Sequence, residues 1–419
     1  MKFIRSSRLG GLPLLLAGVS LAACSSVAPE RPAPAASEHV ASSASAVIKG
    51  KNSDKSQDAV VLLVFFEQSS GQVAMCTGTL LSDRVVLTAR HCVADTDEAA
   101  ACDVDGKPVG AGSIRGNHAA SSMFVFVGPN RPDFNAGDVK PDGVGSKIVD
   151  DGGKNLCNHD IALVVLKEPI ANAKIAPIRL DASVKKGEKI TAVGWGVTDT
   201  TDQPDIRQQR TGIPIIGVGP DDTDSMPVPP NEFEIGEGIC SGDSGGPAFA
   251  STGAVLGVVS RGGNGKQPDP QDPSSGCIGG ENLYTKVAPF KELIESTLQL
   301  VDAEPWYEGG ADPRLLKPGS VCGDASECRS NLCVVDPSVE NATTCAQDCS
   351  SDPCPDDQTC TTVDDAQVCR VPVAAPTNAA TSTATKSGCA TGTGSPASSG
   401  AVGLLLAALG LVALRRGRR

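Results

Sequence analysis

Three polar side chains in this 419-residue sequence are of the types that nucleophilic catalysis requires. His91 ends the segment LTARH, Asp160 lies in the segment HDIAL, and Ser244 lies in the segment CSGDSGGP. A serine hydroxyl is a weak nucleophile until a base takes its proton. An imidazole can be that base, and a carboxylate can fix the tautomer of its ring. The three groups therefore predict a hydrolytic site that forms an acyl intermediate on serine.

The segment around Ser244 also fits a second hydrolase pattern. Gly242, Ser244 and Gly246 form the G-x-S-x-G sequence of the nucleophile elbow found in α/β-hydrolases. That fold needs its histidine after the serine. All four histidines, which are His39, His91, His118 and His159, precede Ser244, so the order of the residues excludes this fold.

Short apolar segments separated by turn residues run through the chain from about residue 47 to 300. Their length and their content of Val and Ile are typical of β-strands. The predicted strands cover residues 60–66, 79–81, 85–87, 124–127, 161–166, 190–193, 213–218 and 255–259. A good helical pattern occurs at residues 287–301, where apolar side chains recur at three- and four-residue steps. Many strands with one terminal helix predict an all-β barrel protein.

The order His91, Asp160, Ser244 and the motifs around these residues resemble the chymotrypsin-like (trypsin-like) serine proteases over about residues 47–300. The resemblance implies two six-stranded antiparallel β-barrels with the active site between them and a C-terminal helix. It also implies that Ser244 is the nucleophile, His91 the general base and acid, and Asp160 the orienting carboxylate. The backbone N–H groups of Gly242 and Ser244 would form the oxyanion hole, since Gly242 has no side chain in the way.

The sequence VIKG at residues 47–50 resembles the mature N-terminus of the same family. The resemblance implies cleavage between Ala46 and Val47 by an activating protease, after which the new ammonium of Val47 pairs with Asp243. The sequence departs from the family in having Val at the first position and Lys49 at the third. The alternative is a site that forms without any activation step.

The resemblance also assigns a primary specificity pocket, which binds the P1 side chain on the residue before the cleaved bond. The expected pocket residues are Gly238, Ile239, Ser260, Gly262 and Asn282. A glycine floor without an Asp at position 238 favours small or apolar P1 side chains through desolvation. Arg261 stands where the family usually has an aromatic residue, and Glu281 and Asn282 replace a customary Pro-Gly pair. If Glu237 or Glu281 reached the pocket, basic side chains would be favoured instead.

The chain has 16 cysteines, which indicates an oxidising compartment. The resemblance implies disulfides between Cys76 and Cys92 and between Cys240 and Cys277. A bridge from Cys102 to Cys157 would tie the loop after His91 to the segment that carries Asp160; pairings elsewhere remain the alternative. Since these cysteines and histidines lack the spacing of metal ligands, we expect no metal and no cofactor.

Eight further cysteines crowd into residues 322–369, namely Cys322, Cys328, Cys333, Cys345, Cys349, Cys354, Cys360 and Cys369. An even count in a short exported segment predicts a module with four disulfides, whose connectivity the sequence does not reveal. The segment weakly resembles EGF-like or Dickkopf-like cysteine-rich repeats, and metal clustering is the alternative.

Both ends of the chain have the composition of targeting signals. A basic start and a short apolar run lead to LAAC, which resembles a bacterial lipobox with Cys24 as the lipidated residue; an ordinary signal peptide is the alternative. Cys389, an apolar run at 401–414 and a terminal RRGRR resemble the MYXO-CTERM sorting signals, with a plain membrane anchor as the alternative. We therefore expect the bacterial cell envelope, the cell surface or secretion, with membrane attachment through Cys24, the C-terminal segment or both.

These features divide the chain into consecutive segments. They are a signal peptide at 1–23, a linker or pro-segment at 24–46, a protease domain at 47–300, a linker at 301–321, a cysteine-rich module at 322–370, a linker at 371–388 and a sorting or anchor segment at 389–419.

Composition narrows the set of partners. The net charge is −13, from 36 Lys and Arg against 49 Asp and Glu, which argues against a nucleic-acid partner. The expected partners are protein or peptide substrates. A catalytically silent protease homologue that acts as a surface binding protein is the second hypothesis, and the intact set of His91, Asp160 and Ser244 weighs against it.

Overall fold

The computed structural model describes residues 38–39, 47–97, 99–136, 139–198, 204–339, 342–351 and 353–372. The predicted signal peptide, Cys24, most of the pro-segment and the C-terminal sorting segment lie outside the described residues. Within the described ranges, no helix has the length and apolar character needed to cross a membrane.

The first half of the chain contains short strands, some of which close into a barrel. They are β1 (Glu38–His39), β2 (Lys51–Asn52), β3 (Val60–Glu67), β4 (Gln72–Ser82), β5 (Val85–Thr88), β6 (Ala94–Thr96), β7 (Ala99–Ala100), β8 (Ile114–Asn117), β9 (Met123–Phe126), β10 (Gly143–Val149) and β11 (Ala162–Leu166). Six of them form a closed antiparallel barrel in the order β10-β11-β5-β4-β3-β9. Strands β6 and β8 pair with each other beside it.

The continuous apolar run of β3 is explained by burial on both faces of the strand. Val61, Leu63 and Phe65 point in one direction and pack inside the first barrel. The alternate residues Leu62 and Val64 pack on the other face, in a cluster with Trp195 of the second half. Side chains alternate between the two faces of a strand, so a strand buried on both needs an unbroken apolar sequence.

The second half of the chain forms a second ring of strands. They are β12 (Lys189–Gly194), β13 (Gln208–Val218), β14 (Asp221–Asp222), β15 (Pro227–Val228), β16 (Glu232–Ile235), β17 (Pro247–Phe249), β18 (Val255–Gly263) and β19 (Glu281–Lys286). Strands β17, β12, β13, β16, β19 and β18 pair in that order, and pairing of β17 with β18 closes the ring. The predicted fold class, two six-stranded antiparallel barrels, is thus confirmed.

The predicted C-terminal helix of the protease fold is present but shorter than its periodicity indicated. Helix α1 spans Lys291–Gln299, and a 3₁₀ turn at Ala288–Phe290 precedes it. Ile294 and Leu298 of α1 are buried in a cluster that also contains Leu87 of the first barrel and Val258 of the second. The other 3₁₀ turns are Lys55–Gln57, Arg90–Cys92, Ala120–Ser122, Pro273–Gly276 and Ala325–Glu327.

The segment after α1, which the sequence analysis took for a linker, packs on the protease fold. Ile178 donates its N–H to the carbonyl of Trp306 at 2.8 Å and accepts from the N–H of Glu308 at 3.0 Å. The side chain of Glu308 also forms an ion pair with Arg179. Backbone hydrogen bonds, an ion pair and the core packing of Ala303, Trp306 and Tyr307 together hold this segment.

The cysteine-rich region consists of two small hairpins stapled by disulfides. Strands β20 (Cys333–Asp336) and β21 (Ala342–Cys345) form the first hairpin, and β22 (Thr359–Val363) and β23 (Ala366–Arg370) form the second. The disulfides join Cys322 to Cys333, Cys328 to Cys345, Cys349 to Cys360 and Cys354 to Cys369. Each hairpin region thus carries two bridges, a sequential arrangement that the spacing alone left open.

Candidate active site

His91 is held at the edge of the first barrel by the elements on either side of it. It lies in the 3₁₀ turn Arg90–Cys92, which directly follows the fully buried strand β5. A disulfide from Cys92 to Cys76 fixes the far end of this turn to β4. The ring is almost completely buried, with 3 % of the side chain exposed.

Asp160 is bound to His91 at two points. Its Oδ2 lies 2.8 Å from Nδ1 of the ring, and its Oδ1 accepts the backbone N–H of His91 at 3.0 Å. Burial alone would raise the pKa of Asp160, but the charge of His91 and hydrogen bonds from His91 and Ser260 hold this pKa below its usual value. Asp160 is therefore a buried carboxylate that is kept ionised against the histidine.

A third group reaches Asp160 from the second barrel. The hydroxyl of Ser260, in β18, donates to Oδ2 of Asp160 at 2.6 Å. The sequence predicts Ser260 only as a residue of the pocket wall; its contact with Asp160 joins residues 100 positions apart, which the sequence pattern does not show. The hydrogen bond joins the barrels at the site.

Ser244 lies on a tight loop before β17, and its backbone is anchored to both barrels. Its carbonyl accepts the N–H of Thr77 at 2.8 Å, and the next N–H, of Gly245, donates to Val259 at 2.9 Å. Gly242 has a φ of +93°, which favours glycine because a Cβ is strained in this region. In the described part of the chain, the N–H groups of Gly242 and Ser244 donate to no protein acceptor, so both are available to an oxyanion.

Nε2 of His91 is the ring nitrogen that Asp160 does not bind. This atom is buried and has no hydrogen-bond partner among the described residues. The hydrogen bond between a catalytic base and its nucleophile is often long before substrate binds. The structure thus brings His91, Asp160 and Ser260 into one hydrogen-bonded group, with Ser244 on the adjoining loop.

Asp243 is buried next to Ser244 without a cationic partner in the described residues. It accepts the N–H of Gly196 at 2.9 Å and that of Cys240 at 3.0 Å. Burial raises the pKa of Asp243 well above its usual value, and the hydrogen bond from Cys240 opposes this shift only in part. Val47 and Ile48 are fully buried nearby, since Ile48 packs against Cys240.

A cavity of about 390 Å³ opens beside Ser244. Its lining includes Ile239, Ser260, Gly262 and Asn282, four of the five pocket residues expected from the sequence. Gly238 is not part of the lining, because a Cβ added there would point toward Ile213 and Ile235. This cavity therefore does not reach Gly238, the residue expected at the floor of the specificity pocket.

The two glutamates that could reverse the expected preference have different positions. Glu237 is engaged elsewhere, with its Oε1 2.7 Å from Nζ of Lys49 and its Oε2 accepting the N–H of Gly279 at 2.8 Å. Glu281 lines the cavity, and burial together with the charge of Glu234 raises its pKa. Glu281 therefore adds a polar, titratable group to the wall.

Disulfides brace the loops around the site. They join Cys76 to Cys92, Cys102 to Cys157 and Cys240 to Cys277. The last two flank the cavity, since Cys102, Cys240 and Cys277 all line it.

The remaining histidines lie apart from this group. The ring of His159 is 2.5 Å from a carboxylate oxygen of Asp151, and this hydrogen bond raises its pKa. His118 stacks on Phe65 at 3.9 Å between ring centroids, and burial lowers its pKa. His39 belongs to the short strand β1.

Strand β1 lies between strands β18 and β7. His39 pairs with Gly262 of β18 on one side and with Ala99 of β7 on the other, both in antiparallel register. Since Gly262 pairs with β19 along the opposite edge of β18, β1 covers the other edge of β18 at Gly262, a residue of the cavity lining.

Two barrels, with a histidine–carboxylate pair in the first and a serine on a loop of the second, define a class of serine proteases. The family model for trypsin matches residues 47–294, and the chain belongs to this family. It is 26 % identical over 277 residues to phenoloxidase-activating factor 3 of Holotrichia diomphalia, which covers 61 % of this chain and 73 % of that protein. It is 26 % identical to a trypsin of Phaedon cochleariae over 241 residues, or 54 % of this chain and 79 % of the trypsin. Identity to the platelet-aggregating proteinase PA-BJ of Bothrops jararaca is 28 % over 259 residues, covering 57 % and 88 % of the two chains.

Proposed function

We propose that this chain is an exported serine endopeptidase, made as a zymogen, with Ser244 as nucleophile, His91 as base and acid, and Asp160 as orienting carboxylate. The observation that carries the proposal is the double hydrogen bond between His91 and Asp160. It fixes the proton on Nδ1 and leaves Nε2 as the acceptor.

The chemistry follows from this arrangement. Nε2 of His91 takes the proton of Ser244 as its Oγ bonds to the substrate carbonyl carbon, and the carbonyl oxygen becomes an oxyanion near the N–H groups of Gly242 and Ser244. The imidazolium then returns the proton to the leaving amine as the peptide C–N bond breaks. Water, deprotonated by the same nitrogen, hydrolyses the acyl-serine and releases the carboxylic acid.

A fluorophosphonate probe tests this assignment directly, because it reacts only with an activated serine. The processed chain should be labelled, and Ser244→Ala should abolish labelling. Ser241→Ala, which removes a neighbouring hydroxyl of the same cavity, is the matched control and should still be labelled. If the processed wild-type chain is not labelled, the alternative of a silent homologue that acts as a surface binding protein is favoured.

Latency is supported by the environment of Asp243. In the uncleaved chain its carboxylate is buried with two backbone donors and no cation among the described residues. Cleavage between Ala46 and Val47 would create an ammonium on Val47, whose side chain already packs beside Tyr284 in the second barrel. The pairing of that ammonium with Asp243 would compensate the buried charge and set the Gly242 loop.

A second support for latency is the position of β1. Extended peptides bind proteins by adding a strand to a free sheet edge, and the edge at Gly262 is paired with His39 of the pro-segment. Release of the segment before Val47 would free this edge for substrate. Mass spectrometry of the mature chain tests the scheme: the expected N-terminus is Val47, and fully active enzyme that begins at Cys24 would contradict it.

For specificity, we propose small or apolar P1 side chains. The cavity wall is apolar at Ile239 and Val259, and Asn282 narrows it, since its Oδ1 lies only 2.3 Å from where a Cβ of Gly262 would stand. Kinetics on a peptide library varied at P1 would test this, and a dominant preference for Lys or Arg would contradict it.

The proposed location is the bacterial cell envelope, the cell surface or the medium. The support is the basic and apolar start that ends at Cys24, and the Cys389-containing C-terminal pattern. If cleavage at Val47 removes the lipidated segment, activation would also detach the N-terminal tether. Fractionation of cells that express wild type or Cys24→Ser, with detection of the precursor and the mature form, tests both points.

A further inference from the structure

Behind Asp160 lies a fully buried ion pair that the proposed mechanism does not use. Arg261 and Glu232 form two parallel hydrogen bonds, from Nη1 to Oε1 at 3.0 Å and from Nη2 to Oε2 at 2.6 Å. Both side chains are 0 % exposed. Removing two charges from water is costly, so a buried pair is weak evidence for stability alone. Its contacts indicate a different role.

Arg261 is connected to Asp160 through two hydrogen bonds. Nη1 of Arg261 donates to Oγ of Ser260 at 3.2 Å, and Ser260 donates its own proton to Asp160 at 2.6 Å. A cation that donates to the hydroxyl oxygen orients the hydroxyl proton away from itself and strengthens its donation. Arg261 therefore fixes the direction of the Ser260 hydroxyl.

Glu232 acts on the other side of the segment that carries Asp160. Its Oε1 accepts the backbone N–H of Asn158 at 2.9 Å, two residues before Asp160. Asn158 has a φ of +67°, a left-handed conformation that its neighbours must hold in place. Nη2 of Arg261 also lies 3.2 Å from Sγ of Cys102, whose disulfide partner Cys157 precedes Asn158.

We propose that Arg261 and Glu232 are positioning residues for catalysis, which hold Asp160 in register with His91 through the Ser260 hydroxyl and the Asn158 backbone. The proposal rests on the proposed function of His91 and Asp160. It extends that function by assigning a charged pair of the second barrel to the alignment of Asp160 with His91.

The other charges around this group are already compensated or lie farther along the hydrogen-bond network. Arg90, next to His91, forms an ion pair with Asp150. His159 is bonded to Asp151. Lys286 of β19, which interacts with Glu232, donates to the carbonyl of Gly219 at 2.9 Å. Among these charged pairs of the described residues, the pair of Arg261 and Glu232 is connected by hydrogen bonds to Asp160 and to the segment that carries it.

The charges of the pair predict in which direction each substitution shifts the protonation of the His91 ring. Glu232→Gln leaves the Arg261 cation uncompensated, which disfavours the imidazolium form of His91. Arg261→Met leaves the Glu232 anion, which favours that form. In a titration, the midpoint of the His91 ring should therefore lie lower in Glu232→Gln than in the parent chain and higher in Arg261→Met.

The midpoint can be measured without activity by NMR of ¹⁵N-histidine-labelled full-length chain carrying Ser244→Ala. Only four histidines contribute, and His118→Gln and His159→Gln assign two of the signals. The matched control is Asp58→Asn, which breaks another buried arginine pair, with Arg207 at 3.0 Å, on a different side of the molecule. It should destabilise the fold without moving the His91 midpoint.

Kinetics on the Ser244 enzyme supply a second readout. In Arg261→Met and Glu232→Gln, kcat should fall by about 10- to 100-fold with little change in KM. Arg261→Lys keeps the charge, so it should retain the wild-type midpoint and lose less in kcat. Arg261→Lys also replaces Arg261→Met in the kinetic test if Arg261→Met fails to fold. Unchanged midpoints in Glu232→Gln and Arg261→Met, or shifts of both in one direction, would overturn the proposal. Failure of the proposed function instead appears as a wild-type chain that fluorophosphonate does not label.

Discussion

Asp160 holds His91 by two different oxygens, one on the ring nitrogen at 2.8 Å and one on the backbone N–H at 3.0 Å. A carboxylate bound in this way cannot rotate without losing both contacts. It thereby fixes the tautomer and the plane of the imidazole together. The bond from Ser260 in the second barrel makes this orientation depend on how the barrels meet.

The first prediction follows from the ionised state of Asp160. Asp160→Asn keeps the size of the side chain but places an N–H₂ group where an acceptor is needed, which favours the wrong ring tautomer. We expect kcat to fall by about 10⁴-fold with a folded protein, measured by peptide hydrolysis and thermal unfolding. Asp181→Asn, an exposed carboxylate that pairs with Lys291, is the control and should retain activity. A decrease of less than ten-fold in Asp160→Asn would argue against the assigned role.

The second prediction concerns the buried carboxylate of Asp243 in the uncleaved chain. Because burial raises its folded-state pKa above the unfolded value, its contribution to stability is present at pH below the unfolded pKa, about 3.9. That contribution is lost as pH rises through the folded-state pKa. At neutral pH the precursor is thus penalised, and Asp243→Asn should relieve the penalty.

Thermal unfolding of precursors that carry Ser244→Ala measures this effect. Adding Asp243→Asn should raise Tm at pH 7.5, by about 2–4 °C for each kcal/mol gained, and the gain should shrink as the pH falls toward 4. In the Ser244 enzyme, the same substitution should lower kcat after cleavage by at least about 100-fold, because the oxyanion donors lose their support. A lower precursor Tm at pH 7.5 would contradict the account.

The fold could be read from the sequence because its strands are buried and strongly patterned. The segment 60–66 is apolar at every position, and it forms most of β3. The helix was overextended at its N-terminal end because Pro289, which lacks a backbone N–H, lies in the 3₁₀ turn before Lys291. The packing of residues 303–308 on the protease could not be predicted, because the core contacts of its apolar side chains, the backbone bonds to Ile178 and the ion pair with Arg179 all join residues that are far apart in sequence.

The candidate active site likewise combines features that the sequence predicts with features that it does not. His91, Asp160 and Ser244 stood out because each lies in a motif whose residues adjoin it in sequence. The contacts that join them across the barrels come from residues distant in sequence, such as Glu232 and Arg261, and single-sequence patterns do not encode such pairs. The assignment of Gly238 to the specificity pocket rests on its distance from Ser244 along the chain and stays a prediction; a Cβ added there would contact Ile213 and Ile235.

The third prediction concerns the packed segment after α1. Glu308 forms an ion pair with Arg179, which also binds Glu188 at 2.7 Å, and the hydrogen bond from Arg179 lowers the pKa of Glu308. Glu308→Gln should lower the free energy of unfolding by about 1–2 kcal/mol at neutral pH, allowing for partial exposure. Because the folded-state pKa is depressed, this contribution is present above the unfolded pKa and is lost as pH falls through the folded value.

Denaturant unfolding at pH 7 and pH 3 checks the prediction. The difference between wild type and Glu308→Gln should be clear at pH 7 and small at pH 3. Glu304→Gln removes a carboxylate that is 52 % exposed and pairs with Lys317, so it should cost less. Equal effects of the two variants would mean that the pairing with Arg179 does not hold the segment.

The last prediction concerns the size of the P1 side chain. Asn282 is part of the cavity wall; its Nδ2 donates to the carbonyl of Gly236 at 3.0 Å, and its Oδ1 fills the space beside Gly262. Asn282→Gly removes this obstruction, so kcat/KM for a substrate with Phe at P1 should rise relative to Ala by about 10-fold or more, the scale on which hydrophobic pockets discriminate size. Glu281→Gln keeps the volume of a neighbouring wall residue and removes its ionisation, so it should leave this size ratio unchanged. If Asn282→Gly leaves the Phe-to-Ala ratio at its wild-type value, Asn282 does not limit the pocket.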